Sequence, residues 1–339
     1  MMGRDELLLE VKKLKKYFPI EKGFLRRVVG HVRAVDDVSF SVNRGETVAV
    51  VGESGCGKTT LGRCLLNVIQ PTAGEVVFYG DEGQEIAVTG LPERELRRHR
   101  ASLQMIFQDP YSSLDPRMTV VDIVGEPLRS GNLARGRERD ELIKRIITDV
   151  GLEVKHLRRY PHAFSGGQRQ RIGIARALVT NPSLIVCDEA VSALDVSIQA
   201  QIINLLKDLQ QEYHLAYLFI THDLSVVRYI SDRILVMYVG KIVETGNTEE
   251  IFRSPRHPYT EALLSAVPRM TLGRRGKRLV LGGEVPNPAD PPSGCYFHPR
   301  CLYAREICKN EEPEMTVVGQ TRYAGCHFAL DLSLRGIDS

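Results

Sequence analysis

A glycine-rich run, Gly52-Glu53-Ser54-Gly55-Cys56-Gly57-Lys58-Thr59, follows the spacing Gly-x4-Gly-Lys-[Ser/Thr]. It restricts the fold more than any other stretch. Upstream, Thr47 to Val51 is a β-branched apolar run of the kind that forms a buried parallel strand. Downstream, Thr60 to Ile69 reads as a helix. Glycines let such a loop curl until successive backbone N–H groups converge on an anion, and the following helix adds its positive dipole end. Lys58 then reaches β- and γ-phosphates, and the Thr59 hydroxyl ligates Mg²⁺. A nucleotide site in an α/β fold is the expectation.

At 339 residues the chain has room for one full α/β domain and a smaller unit. No apolar run approaches the ~18 residues of a membrane span. The opening Met1 to Glu6 is too charged for a signal peptide, so the chain is expected in the cytosol, reaching a membrane only through partners. A net charge of +3 is too small to argue for nucleic acid. The basic runs Arg97 to Arg100 and Arg274 to Arg278 read as solvated faces, with anionic lipid headgroups as the alternative. Seven cysteines in a cytosolic chain argue against a disulfide framework. Cys56, Cys64 and Cys187 are scattered, whereas Cys295, Cys301, Cys308 and Cys326 crowd near the C-terminus.

Short alternating runs over residues 7–51, with turns at Pro19, Gly23 and Asn43 to Gly45, predict a small antiparallel sheet. Within it, Tyr17-Phe18 offers either an aromatic face for an adenine ring or a core contact. Helical periodicity holds from Pro92 to Gly151 and is broken by a strand at Leu103 to Phe107, after which Gln108 begins a loop. Helices are expected at about 119–129 and 137–150. Ser165-Gly166-Gly167-Gln168 opens a helix over 168–179 that buries Ile172, Ala175, Ala177 and Leu178, a second ready anion site. The strand Leu184 to Cys187 then delivers Asp188 and Glu189 to the sheet edge where open α/β folds bind ligands. Asp188 is placed to hold Mg²⁺ through water, and Glu189 to act as a base beside the γ-phosphate. Ser192 to Asp195 leads into a helix with the stripe Ile198, Ile202, Leu205, Leu209, and the strand Ala216 to Ile220 brings His222 to the same edge. A strand pair, Arg233 to Val239 and Lys241 to Glu244, closes the domain.

Taken together, these residues resemble the ATP-binding subunit of an ABC transporter across essentially the whole chain. Gly52 to Thr59 looks like Walker A, Gln108 like the Q-loop, Ser165 to Gln168 like the signature, Asp188-Glu189 like Walker B, Ser192 to Asp195 like the D-loop and His222 like the switch histidine. Phe164 and Ala190 depart from the commoner leucine and proline without removing a donor, acceptor or charge. The resemblance implies an α/β P-loop NTPase core over 1–250, with an antiparallel β subdomain and a helical signature subdomain at about 92–180. It implies ATP contacts from Phe18, Gly52 to Thr60, Ser165 to Gln168 and Asp195. It further implies Mg²⁺ held through Thr59, Gln108 and Asp188, with Glu189, His222 and Gln108 in the chemistry. In the family each ATP lies between Walker A of one subunit and the signature of another, so the working unit is a head-to-tail dimer.

The tail, 251–339, looks like that of dipeptide and oligopeptide importer ATPases. Ile251 to Thr260, Leu263 to Pro268, Gly283 to Pro288 and Gly294 to Cys301 carry that likeness. Its Pro and Gly content reads as an irregular extension that needs a staple. Four cysteines suit a tetrahedral zinc or a [4Fe–4S] cluster, and could also remain unligated thiols. The likeness favours [4Fe–4S] through Cys295, Cys301, Cys308 and Cys326. The implied partners are two permease subunits, a second ABC ATPase, identical or a sister, and indirectly an extracytoplasmic solute-binding protein, with no nucleic acid. The implied location is the cytoplasmic face of the membrane, with a permease loop received near Gln108 to Gly125. Other importer solutes (nickel chelates, glutathione, oligosaccharides) and a soluble ABC ATPase acting on nucleic acid or ribosomes are the competing readings.

Overall fold

The computed structural model describes residues 6–24, 26–80, 83–109, 112–267 and 281–337. Its first elements are β1 (Leu7–Lys22), β2 (Arg27–Asn43), β3 (Thr47–Val51), α1 (Lys58–Leu65), β4 (Ala73–Tyr79), β5 (Glu85–Ala87) and α2 (Glu93–His99). Next come β6 (Leu103–Ile106), α3 (Val120–Ser130), α4 (Gly136–Asp149), α5 (Gly166–Leu178), β7 (Leu184–Asp188), α6 (Val196–Tyr213) and β8 (Ala216–Ile220). After these follow α7 (Leu224–Ile230), β9 (Arg233–Tyr238), β10 (Lys241–Asn247), α8 (Thr248–Arg253) and α9 (Pro258–Ser265). Short pieces end the chain: α10 (Glu306–Asn310), β11 (Thr316–Val317) and β12 (Tyr323–Ala324). Two compact units result. One gathers the segment ending at Leu9 with Ser41–Thr47 and Val77–Ile220; the other gathers Glu10–Phe40, Val48–Val76 and the chain from Thr221 on.

The first unit carries the parallel run β6, β7, β8, with Leu103 beside Leu184 and Leu184 beside Ala216. Every residue of β7 and β8 is buried, the pattern of a sheet covered on both faces. Helices α3, α4 and α5 pack together in the same unit through apolar stripes that include Ile123, Val124, Ile143, Ile147, Ile172 and Ile174. In α6 the expected stripe is corrected. Ile202 and Leu209 are buried as predicted, but Ile203 and Leu206 complete the core face, while Ile198 and Leu205 are only partly covered. A helical stripe can follow either the i+3 or the i+4 step, and the alternation chosen from sequence picked the neighbouring column. Arg97 and Arg98 are solvent-exposed and Arg100 makes a fork on Glu93, at 2.6 and 3.0 Å; Arg274 to Arg278 lie outside the described residues.

The second unit carries β3 parallel to β9, then β10 antiparallel to β9, β12 antiparallel to β10, and β11 at the end. Its core joins Ala49 and Val51 of β3 to Tyr238, Tyr259, Phe252 and Phe297. Tyr238, Tyr259 and Phe297 meet ring against ring with centroids 4.6 to 5.5 Å apart. Such pairs contribute roughly 0.5–1.5 kcal/mol each beyond simple burial. The tail therefore packs on the strand that leads into the glycine loop.

Two local expectations fail for identifiable reasons. The turn read at Pro19 does not occur: β1 runs through it to Lys22 and turns only at Gly23, where φ is +76°. Proline is tolerated in a strand where no neighbour needs its missing N–H. The helix expected to reach Ile69 stops at Leu65. Asn67 adopts φ +49°, its N–H donates to Cys64 O at 3.0 Å, and Val68 N–H donates to Arg63 O at 2.9 Å. That double bond is the Schellman stop, with asparagine in the left-handed position.

Candidate functional site

In the second unit, β3 ends at Val51 and the glycine loop begins. Gly52 and Gly57 are there because backbone passes too close for a side chain. A Cβ would come within 2.1 Å of Met237 O at Gly52, and within 1.9 Å of Ala34 O at Gly57, where φ is +106°. Lys58 opens α1 and is 5 % exposed. Its ammonium donates to Gly52 O at 2.8 Å and Glu53 O at 2.9 Å, so it lies over the loop. Burial raises the Cys56 thiol beside it. Thr59 and Thr60 follow in the first turn of α1, half-buried.

His222 is exposed in this unit, one residue after Thr221, whose N–H donates to Val50 O at 3.2 Å. The tie to β3 holds it near the strand that feeds the loop. On β1, the two aromatics divide. The Tyr17 hydroxyl donates to Asp36 Oδ1 at 2.5 Å, and burial pushes its pKa up. The Phe18 ring is 36 % exposed with Lys16 Nζ 4.9 Å from its centroid.

In the first unit, β7 delivers Asp188, 1 % exposed, and the chain turns sharply at Glu189, where φ is +47°. A non-glycine residue in that region carries a cost of order 1–3 kcal/mol. The turn is fixed from both sides: Glu189 N–H donates to Ile220 O at 2.9 Å, and its carbonyl accepts from Ser192 N–H at 3.1 Å and Ser192 Oγ at 3.0 Å. Gln108 comes across from the end of β6 and donates its Nε2 to Glu189 Oε2 at 2.8 Å. The loop after Gln108 is anchored by Arg176, which lies 5.6 Å from the Phe107 ring and donates to Ser113 O at 2.6 Å. Asp195 caps α6 by accepting from Ile198 N–H at 3.1 Å and Ser197 Oγ at 2.7 Å, contacts that lower its pKa.

Also in the first unit, Ser165 and Gln168 form a reciprocal capping box on α5, at 3.4 and 3.1 Å. Ser165, which caps this 13-residue helix, is itself exposed, while Gly166 and Gln168 are half-buried. Gly167 is where α5 and α6 touch, since a Cβ there would sit 2.5 Å from Ile198 Cγ2. Phe164 is buried, its ring set edge to face with that of His156 at a centroid separation of 5.8 Å, so the departure from leucine fills core space.

Cys295, Cys301, Cys308 and Cys326 line one space of about 10 Å³, together with Phe297, Phe328 and three histidines. Burial pushes Cys295 up to about 11 and Cys301 up to about 12, and it also raises Cys326. Among the described residues no group of three or more His, Cys, Asp or Glu is arranged to hold a metal ion. The sulfurs are thus gathered around one cavity without coordinating geometry.

Two residues that touch the loop were not singled out from sequence. Tyr259 Oη accepts the Glu53 N–H at 2.8 Å, and Arg300 forks onto the Glu53 carboxylate at 2.7 and 3.0 Å. They stand 206 and 247 positions from Glu53, inside two of the tail stretches that carried the family likeness, and no spacing there ties them to the loop.

Residues 35–192 match the family model described as ABC transporter, and residues 243–308 match that of the oligopeptide/dipeptide transporter, C-terminal region. Among curated relatives, the oligopeptide transport ATP-binding protein AppF of Bacillus subtilis is 52 % identical over 96 % of this chain and 98 % of its own. The dipeptide transport ATP-binding protein DppF of Haemophilus influenzae is 48 % identical over 91 % and 92 %. Among solved structures, an ATP-binding cassette captured as a post-hydrolysis dimer with ADP and Pi is 29 % identical, with TM-score 0.61 over 71 % of this chain and 99 % of that one. With relatives this similar along nearly their whole length, the chain belongs to the ABC transporter family, among the ATP-binding proteins of oligopeptide and dipeptide transport.

Proposed function

We propose that this chain is the ATP-hydrolysing motor of an importer for dipeptides or oligopeptides, working on the cytoplasmic face of a membrane beneath two permease subunits. The observation that carries the chemistry is the Gln108–Glu189 hydrogen bond next to buried Asp188, in a chain whose Lys58 lies over a glycine loop. Loop N–H groups and the start of α1 receive the phosphates, and Lys58 moves from the loop carbonyls to the β- and γ-oxygens. Thr59, Asp188 and Gln108 are the residues that would hold Mg²⁺, which neutralises charge on those oxygens. Gln108 suits that double duty: its Nε2 is committed to Glu189, leaving its carbonyl oxygen as the cation ligand. Glu189 accepts the proton of the attacking water, and His222 contacts the γ-phosphate. Phe18 offers its exposed ring to adenine.

In the assembled motor, Ser165 to Gln168 and Asp195 of a second ATPase, identical or a sister, complete each site. ATP then joins the two halves and hydrolysis removes the joint. Among the described residues no helix is long and apolar enough to cross a membrane; in this reading the path for the peptide is supplied by the two permeases. Purification from native membranes should bring down two multi-span membrane proteins and a second ATPase, and the assembly should release phosphate faster when peptide is supplied. Ribosomal or nucleic-acid companions in their place would overturn the reading, as would stimulation by nickel chelates, glutathione or oligosaccharides but not by peptides.

The four tail cysteines are assigned to a [4Fe–4S] cluster of structural role, in preference to zinc. What supports it is the number and chemistry of the donors, four thiols that border one cavity and can give up their protons on loading; as they stand the sulfurs are not arranged around a metal, so loading has to draw them together. Protein purified without oxygen should contain iron and sulfide in equal amounts and lose both when Cys301 is replaced by serine. Colourless protein with stoichiometric zinc would exclude the cluster.

A further inference from the structure

We infer that Arg300 and Tyr259 position the nucleotide loop, setting affinity for ATP through their joint hold on Glu53. The inference rests on reading Gly52 to Thr59 as the ATP loop. All three polar groups of Glu53 are engaged. Its N–H donates to Tyr259 Oη at 2.8 Å, its carboxylate takes the Arg300 fork at 2.7 and 3.0 Å, and its carbonyl accepts from Lys58 Nζ at 2.9 Å. Few surface ion pairs hold geometry in this way, but this one is not at the surface: the Arg300 side chain is 6 % exposed and that of Glu53 26 %.

The two clamping residues are themselves fixed. Tyr259 is fully buried, with its ring 4.6 Å from Tyr238 and 5.5 Å from Phe297. Arg300 N–H donates to Phe297 O at 3.0 Å, and its guanidinium reaches the Tyr238 hydroxyl at 3.4 Å. The tail therefore presents a rigid hydroxyl and a rigid guanidinium to one loop residue. Two effects follow. Turning the Glu53 N–H toward Tyr259 sets the direction in which the loop leaves β3, on which the convergence of the later N–H groups depends. Pairing Glu53 with Arg300 also neutralises the one carboxylate in the run Gly52 to Thr59, which would otherwise repel polyphosphate.

The test measures ATP binding by the purified full chain and ATPase kinetics in the transporter complex. Arg300→Gln should raise the ATP Kd and KM about tenfold, the factor expected from losing one charge-assisted, largely buried contact, with kcat at saturating ATP changed less than about twofold. Arg300→Lys should recover part of the loss. Glu53→Gln placed on Arg300→Gln should recover part as well, because it removes the repelling charge. Tyr259→Phe deletes only the hydroxyl and keeps the buried ring. It should raise Kd about threefold, and it is the deciding variant if Arg300→Gln fails to fold. Folded Arg300→Gln and Tyr259→Phe chains that bind ATP as the wild type does overturn the inference, and so does a change confined to kcat. A wild-type chain whose ATP binding is absent, or survives Lys58→Ala, marks failure of the loop reading instead.

Discussion

Glu189→Gln is expected to lower phosphate release by the assembled transporter about 10²–10⁴-fold, the range for loss of a positioned general base. ATP affinity should change little. Glutamine keeps the shape of the side chain, and its Oε1 can still accept the Gln108 Nε2 that now bonds Glu189 Oε2 at 2.8 Å. What it cannot do is take a proton from water. Lys58, the loop and α1 are untouched, so nucleotide still binds, and the two ATPase subunits should accumulate in their joined form on ATP. Phosphate assays on the reconstituted complex, with size-exclusion chromatography in ATP, read both effects. Turnover within tenfold of wild type would remove Glu189 from the role of base.

Arg322→Met is expected to destabilise the second unit by about 3–5 kcal/mol, the usual consequence of breaking a buried ion pair from one side. Glu244 is fully buried, and Arg322 Nη2 lies 2.7 Å from its Oε1. The Glu244 carboxylate also accepts the N–H of Arg256 at 2.8 Å and of His257 at 3.0 Å. These neutral donors cannot replace the guanidinium's charge. Glu244→Gln combined with Arg322→Met should recover part of the loss seen in Arg322→Met alone: no uncompensated charge is then left in the interior, although the single amide oxygen can accept from only one of the two N–H groups. Urea unfolding followed by circular dichroism tests this. An unchanged midpoint for Arg322→Met would show the pair to be dispensable.

Much of the fold was legible where the signal is local. Thr47 to Val51, Leu184 to Cys187 and Ala216 to Ile220 are continuous apolar runs because both sheet faces are covered, and strands form there, the second running one residue further to Asp188. The capping box at Ser165 and Gln168 is written in residues three apart. Other features needed information held elsewhere in the chain. Pro19 looks like a turn until its strand neighbours are known, and the two aromatics at Tyr17 and Phe18 separate only because Asp36 claims one of them. Asn67 did offer a stop signal for α1, which the apolar run through Val68 and Ile69 obscured. Tyr259 and Arg300 lie in two of the tail stretches that carried the family likeness, but their grip on Glu53 was not readable there, since it is created by folding segments more than 200 positions apart.

The pairing of β12 with β10 bears on how such a chain avoids sticking to its own copies. Glu244 and Thr245 face Ala324 and Tyr323 across that ladder, so the middle of the strand that closes the nucleotide-loop unit is covered rather than left with open N–H and C=O groups. An uncovered border of that kind is a template for stacking one molecule on the next. The tail thus acts as a short selvedge: cutting the chain back before it would bare that stretch of strand, a place where one copy could pair with the next.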